Sequence, residues 1–211
     1  MDSLVLELQR DAVDRNIHIT DLLRKALLVS RKLKIKDIEE WINDELNGYD
    51  GDLIPDYRQV GGELKVFNPY NGWNPVMLSG QWHDVFCLRN MNISISQIEN
   101  LLESSEGGSF LMKFPPEAAG VIMELIGHQL EPALHVSLHQ LVRIIDSVKT
   151  KVMEFALDLE SRGVLGEGMT FSKQDQQLAE TITYNTINIQ RMENSQIQQA
   201  NAESDQLTRL E

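Results

Sequence analysis

The sequence predicts an α+β fold: an N-terminal helical bundle, a small antiparallel sheet, a long C-terminal helix and a polar tail of β type. Three observations carry that prediction. Apolar residues recur at helical spacing through the first fifty positions. From Tyr49 to Phe86 the texture changes, with dense Gly, Pro, Asn and aromatic residues around short apolar runs. Further on, Leu141 to Leu159 holds one sustained apolar stripe. Residues 1–165 are accordingly taken as one domain, helical over 1–50, sheet-rich over 51–115 and helical over 116–165. A linker and an oligomerising tail follow over 166–211.

The elements follow in order. Leu4, Leu6, Leu8, Ala12 and Val13 form an amphipathic stretch broken near Asn16. Thr20 is placed to cap a second helix carrying Leu22, Leu23, Ala26, Leu27 and Val29. A third runs from about Lys36 to Leu46, with Ile38, Trp41, Ile42 and Leu46 on one face and Asn47-Gly48 as its stop. Strands are expected at Tyr57 to Val60, Glu63 to Phe67 and Pro75 to Leu78, turning at Gly61-Gly62 and at Asn68 to Gly72. A helix over Ser94 to Ser104 has a capping box of Ser96 and Glu99. Ser109 to Phe114 is a short strand, and Pro115-Pro116 opens a helix because proline suits a first turn. Ala133 to Val136 is extended, and Ser137 with Gln140 makes a second capping box for the longest helix, which ends at Gly163. Ser172 caps a last short helix through Ala179.

Charge and composition narrow the function. The net charge is −13, from 19 Lys+Arg against 32 Asp+Glu, so the surface as a whole repels a phosphate backbone and broad nucleic-acid binding is disfavoured. The basic residues Arg24, Lys25, Arg31, Lys32, Lys34 and Lys36 are read first as the solvated side of a helix and second as a local patch for nucleic acid or a partner. No apolar run approaches the ~20 residues needed to cross a bilayer, and the start MDSLVLELQR has no secretory pattern. Cys87 is the single cysteine, which rules out an internal disulfide and fits a reducing cytoplasm.

Several ordered blocks share a likeness. Tyr57-Arg58, Gly62-Glu63-Leu64, Asn68-Pro69-Tyr70-Asn71-Gly72-Trp73 and Pro75-Val76 resemble the central signature of AbiTii-type abortive-infection domains. The opening Ser3 to Gln9, Leu22 to Ala26 and the block Trp41 to Tyr49 are similar to that family's start. Ile145 to Val148 and Phe155 to Glu160 resemble its late helix, and Asn194 to Gln199 a tail motif that often ends in Gly, where Ala200 stands here. The resemblance implies bacterial anti-phage defence, by a module working alone or beside other effector parts. It brings no agreed catalytic set with it.

The residues offer several candidate chemistries, each with a plainer alternative. His128, His135 and His139 would share a face only on a continuous helix, which Pro132 interrupts, so surface or half-buried histidines are favoured over a zinc site. Asp56, Glu63 and Lys65 suit a magnesium-dependent nuclease, in which carboxylates hold the ion and a lysine meets the phosphate. Their close spacing favours exposed charges on a hairpin instead. Asn68, Tyr70 and Trp73, with Phe67 and Trp82 nearby, form either a partner-binding surface or the packing of a loop over the sheet. No GxxxxGK[ST], GxSxG or HExxH motif is present, and Cys87 lacks the surroundings of a catalytic thiol. The tail from Thr181 to Ala202 carries only Arg191 and Glu193 as charges, and Ile182/Tyr184, Ile187/Ile189 and Ile197 recur at strand period. That pattern suits pairing between identical chains, the alternative being a floppy polar terminus. The expectation is a non-catalytic interaction or sensor module needing no cofactor. It self-assembles and recognises a phage protein or a co-encoded effector, with the nuclease as the rival.

Overall fold

Ser3 opens the first helix with its own side chain: its hydroxyl accepts from the Leu6 amide at 3.3 Å and helix α1 (Leu4–Val13) follows. The computed structural model describes residues 3–51, 54–78, 80–105 and 107–180. Helix α2 (Ile19–Leu33) starts at Ile19 and not after Thr20, with His18 at the cap position. The reason is burial, since Ile19 already belongs to the apolar face of Leu22, Leu23 and Ala26. Helix α3 (Lys36–Asn47) stops at Gly48, whose φ of 97° and 2.8 Å Cβ approach to the Asn92 carbonyl exclude a side chain.

The described residues divide into two compact units, 3–43 with 150–180, and 44–149. In the first, α1 and α2 gather with the later part of α7 (Leu138–Ser161) and with α8 (Lys173–Glu180). Gln9 donates to the Ala156 carbonyl at 3.3 Å and to Glu160 at 2.9 Å, while Gln176 donates to the Lys32 carbonyl at 3.0 Å. Leu8, Leu23, Val152, Ala156 and Leu159 fill its core with no exposed surface. Ser172 caps α8 as expected, exchanging bonds with Asp175 at 3.1 and 2.8 Å.

The second unit is built on a five-stranded antiparallel sheet of β1 (Gln59–Asn68), β2 (Gly72–Pro75), β3 (Leu88–Asn90), β4 (Ser109–Lys113) and β5 (Glu131–Ser137). Its order is β2-β1-β5-β4, with β3 also pairing β1. Helices α4 (Gln81–Cys87), α5 (Ile95–Ser104) and α6 (Pro116–Ile126) complete it together with the first part of α7. The expected hairpin at Asn68 to Gly72 and the proline start of α6 are as predicted.

Four local readings differ. Gly61-Gly62 is not a turn but lies inside β1, which runs unbroken for 10 residues, and Tyr57 belongs to a short 3-10 turn before it. Gly62 is there for closeness, because a Cβ would stand 2.6 Å from Leu134 Cγ and 2.8 Å from the His135 carbonyl oxygen. Strand β2 occupies Gly72–Pro75, ahead of the expected Pro75 to Leu78, since the tight turn brings Gly72 directly opposite Asn68. The capping box of α5 is Ser94 with Gln97, not Ser96 with Glu99, because fully buried Ile95 opens the helix. At the head of α7, Ser137 Oγ accepts from the His139 amide at 3.3 Å, and Gln140 Oε1 is buried without a hydrogen-bond partner among the described residues. The box predicted there does not form.

Candidate functional site

Alternation along β1 sends Val60, Leu64 and Val66 into the core and Glu63, Lys65 and Phe67 to the opposite face. Register then sets the neighbours of this outer face. Glu63 stands opposite His135 on β5, Lys65 opposite Ala133, and Phe67 opposite both Glu131 on β5 and Trp73 on β2. Lys65 Nζ lies 3.0 Å from Glu63 Oε2. The Trp73 ring meets Phe67 edge-on at 5.3 Å and His135 edge-on at 4.8 Å. An indole rooted on β2 that reaches His135 on β5 must cross β1, and small Ala133, only 2% exposed, does not obstruct it. The result is a half-buried aromatic layer with an ion pair beside it.

His135 is held below the ordinary histidine range, first by burial and then by the Lys65 charge, while Glu63 pulls the other way. Its Nε2 is buried without a hydrogen-bond partner among the described residues. At neutral pH the ring is therefore uncharged, and it serves as an aromatic edge for Trp73.

The hairpin tip continues this face. Asn68 Oδ1 accepts from the Tyr70 amide at 2.9 Å, and the Asn71 amide donates to the Asn68 carbonyl at 3.3 Å. Asn74 Nδ2 donates to Asn71 Oδ1 at 2.8 Å and to the Gly72 carbonyl at 3.1 Å. Gly72 supplies the positive φ of 82° that the turn requires. With the backbone so tied, the Tyr70 side chain projects 98% exposed, and Met77 just beyond β2 is 97% exposed.

The other sequence-derived candidates fall elsewhere. Asp56 is exposed on the 3-10 turn ahead of β1. Among the described residues no three His, Cys, Asp or Glu side chains gather to hold a metal ion, and His128, His135 and His139 sit on three different segments. Cys87 is buried, which pushes its thiol up. Within the basic cluster Lys25 pairs with Asp11 and with Glu7, Arg31 with Glu39 at 2.8 Å and Arg24 with Asp21 at 3.2 Å. Ile187, Ile189 and Ile197 lie outside the described residues.

One polar group was not expected. Arg58 and Glu45 form an ion pair with both side chains fully buried. Arg58 Nη1 also donates to the Met91 and Ile93 carbonyls at 3.1 and 2.6 Å. The Tyr49 hydroxyl donates to Glu45 Oε1 at 2.6 Å, the Tyr57 hydroxyl donates to the same oxygen, and the guanidinium lies 5.1 Å over the Tyr49 ring. Burial, then the Glu45 charge, raises the Tyr49 hydroxyl far above the usual phenol range. This network holds the end of α3, the approach to β1 and the segment before α5 in one arrangement. Its signal was present in the sequence: Glu45 continues the Ile38, Ile42 stripe at helical spacing, so a carboxylate sat where the core was expected.

The AbiTii family model matches residues 3–184. The chain belongs to the AbiTii family. No curated protein and no solved structure matches it significantly. AbiTii membership makes this a protein of abortive-infection type, with defence as the setting of its function. The blocks that carried the AbiTii likeness now have physical roles. Glu45, Tyr49, Tyr57 and Arg58 make the buried network, Gly62 the close strand pairing, and Asn68 to Trp73 the locked hairpin. Among the described residues no helix is long and apolar enough to cross a membrane.

Proposed function

We propose that the protein serves bacterial anti-phage defence as a non-catalytic interaction or sensor module that self-assembles. Its recognition surface is the β1–β2 tip, Asn68 to Trp73, and its partner is a phage protein or a co-encoded effector. The observation that carries this reading is Tyr70, a tyrosine 98% exposed on a tip whose backbone is already fixed by side-chain bonds. A pre-ordered tyrosine loses little entropy on binding and offers a large amphipathic contact. Trp73 and Phe67 back it with a rigid aromatic base. Self-assembly rests on the alternating, nearly uncharged sequence from Thr181 to Ala202.

The rival is a magnesium-dependent nuclease using Asp56, Glu63 and Lys65, supported by the placement of Glu63 and Lys65 on one strand face beside His135. In that reading the ion takes most of its ligands from water, since Glu63 is shared with Lys65 and no third donor stands by among the described residues. Purified protein incubated with magnesium and single- or double-stranded DNA or RNA separates the two. The interaction reading predicts intact nucleic acid. Cleavage that disappears in Glu63→Ala and Lys65→Ala would replace it with the rival.

A further inference from the structure

Resting on the self-assembly just proposed, the geometry points to the open edge of β4 as the acceptor for the tail strand, Ile182 to Ile189, of a second copy of the chain. Strand β4 pairs with β5 on one side only, in the register Ser109↔Ser137 through Lys113↔Ala133. Among the described residues, no backbone hydrogen bond reaches Ser109–Lys113 from any element other than β5. Its outward row of amides and carbonyls is therefore a template for another strand.

The other open edges are poorer templates. Strand β3 has 3 residues, and β2 has 4 and closes on Pro75, which lacks an amide donor. Strand β4 has 5 residues and no proline. It also lacks the usual guards of an edge, with Lys113 its single charge and that charge paired to Glu131 at 3.1 Å. Phe110 and Met112, on the face that β5 fills with buried Leu134 and Val136, are covered only in part, and Leu111 on the other face is 47% exposed. The edge strand thus presents incompletely buried apolar side chains on both faces.

The tail supplies the complement. Ile187 and Ile189 are two residues apart, as are Phe110 and Met112, so one added strand sets the two pairs side by side on the same face. Asn188 then falls beside Leu111, and from Thr181 through Gln190 the tail carries no charge to oppose docking. A strand of about five residues matches the length of β4. Each copy has one tail and one such edge, so the exchange is either reciprocal, closing a dimer, or head-to-tail, building a longer array.

Light scattering on the full chain, on a chain ending at Glu180, and on full-length Met112→Lys tests this. The full chain is expected to be a multimer, and both altered proteins monomers with folded circular dichroism. Leu111→Lys, at an exposed position, gives the same readout should Met112→Lys not fold. A double variant, Leu111→Cys with Asn188→Cys, is expected to form a disulfide between chains on oxidation. A multimer that is lost with the tail but persists in folded Met112→Lys or Leu111→Lys overturns the β4 acceptor and leaves tail-driven assembly standing. A disulfide found only within single chains overturns exchange between copies. A monomeric full chain overturns both the acceptor and the self-assembly reading beneath it.

Discussion

Arg58 reaches back from the 3-10 turn just ahead of β1 to grip Glu45 at the end of α3, and neither side chain has any exposed surface. A buried pair of this kind is expensive to break one half at a time, because the surviving charge stays desolvated. Arg58→Met and Glu45→Gln are each expected to lower the unfolding free energy by about 3–5 kcal/mol. The double change should cost less than the sum, since it removes both charges together. Urea titrations of the four proteins measure this. Additive losses would mean that the two residues stabilise the fold independently.

Neighbouring glycines in β1 separate close packing from mere strand placement. A Cβ on Gly62 would meet Leu134 and the His135 carbonyl oxygen, whereas one on Gly61 finds its nearest atom, in the Leu88 side chain, at 3.5 Å. Gly62→Ala is expected to destabilise by about 1–3 kcal/mol, and Gly61→Ala to stay within about 0.5 kcal/mol. Thermal unfolding of both variants decides it, and equal effects would remove the special role given to Gly62.

The pairing of β1 with β5 also sets a pH dependence. His135 is depressed by burial and by Lys65, so the folded protein resists its protonation more than the unfolded chain does. Its contribution to stability is fully present above the unfolded value of about 6.5 and is lost as pH falls toward the lower folded value. His135→Phe, which keeps an aromatic edge for Trp73, is expected to flatten that part of the stability profile. An unchanged slope between pH 6.5 and the onset of carboxylate titration, at roughly pH 5, would assign it to other groups.

Much of the fold was legible because helices announce themselves locally. The stripes of α1, α2, α3 and α7, the proline start of α6 and the Ser172 cap all depend on residues within a turn or two of one another. The sheet was legible in kind and less so in detail. Gly61-Gly62 has the composition of a turn, and only the approach of Leu134, far along the chain, makes Gly62 a strand residue. Ser94 and Ser96 both have a cap partner three residues on, and the burial of Ile95 chose between them. The outer-face site was half legible. Glu63 and Lys65 share a face by simple alternation, but His135 joins them through a register that no local pattern encodes. The Glu45–Arg58 pair spans two elements and was visible only as a misplaced carboxylate.

Trp73 and Tyr70 should divide stability from recognition. Trp73→Ala removes the ring that meets both Phe67 and His135, with an expected loss of about 1–3 kcal/mol. Tyr70→Ala touches a side chain almost wholly in water and should stay within about 0.5 kcal/mol. Differential scanning calorimetry is the check, and a large loss for Tyr70→Ala would make the tip a packing element.

The most direct test of recognition by the tip is phage plating efficiency on cells expressing wild type, Tyr70→Ala, or Glu63→Ala with Lys65→Ala, at matched protein levels. Tyr70→Ala is expected to lose protection while the sheet-face double variant keeps it. Protection retained by Tyr70→Ala and abolished by the double variant would contradict it and place the activity on the outer face of the sheet.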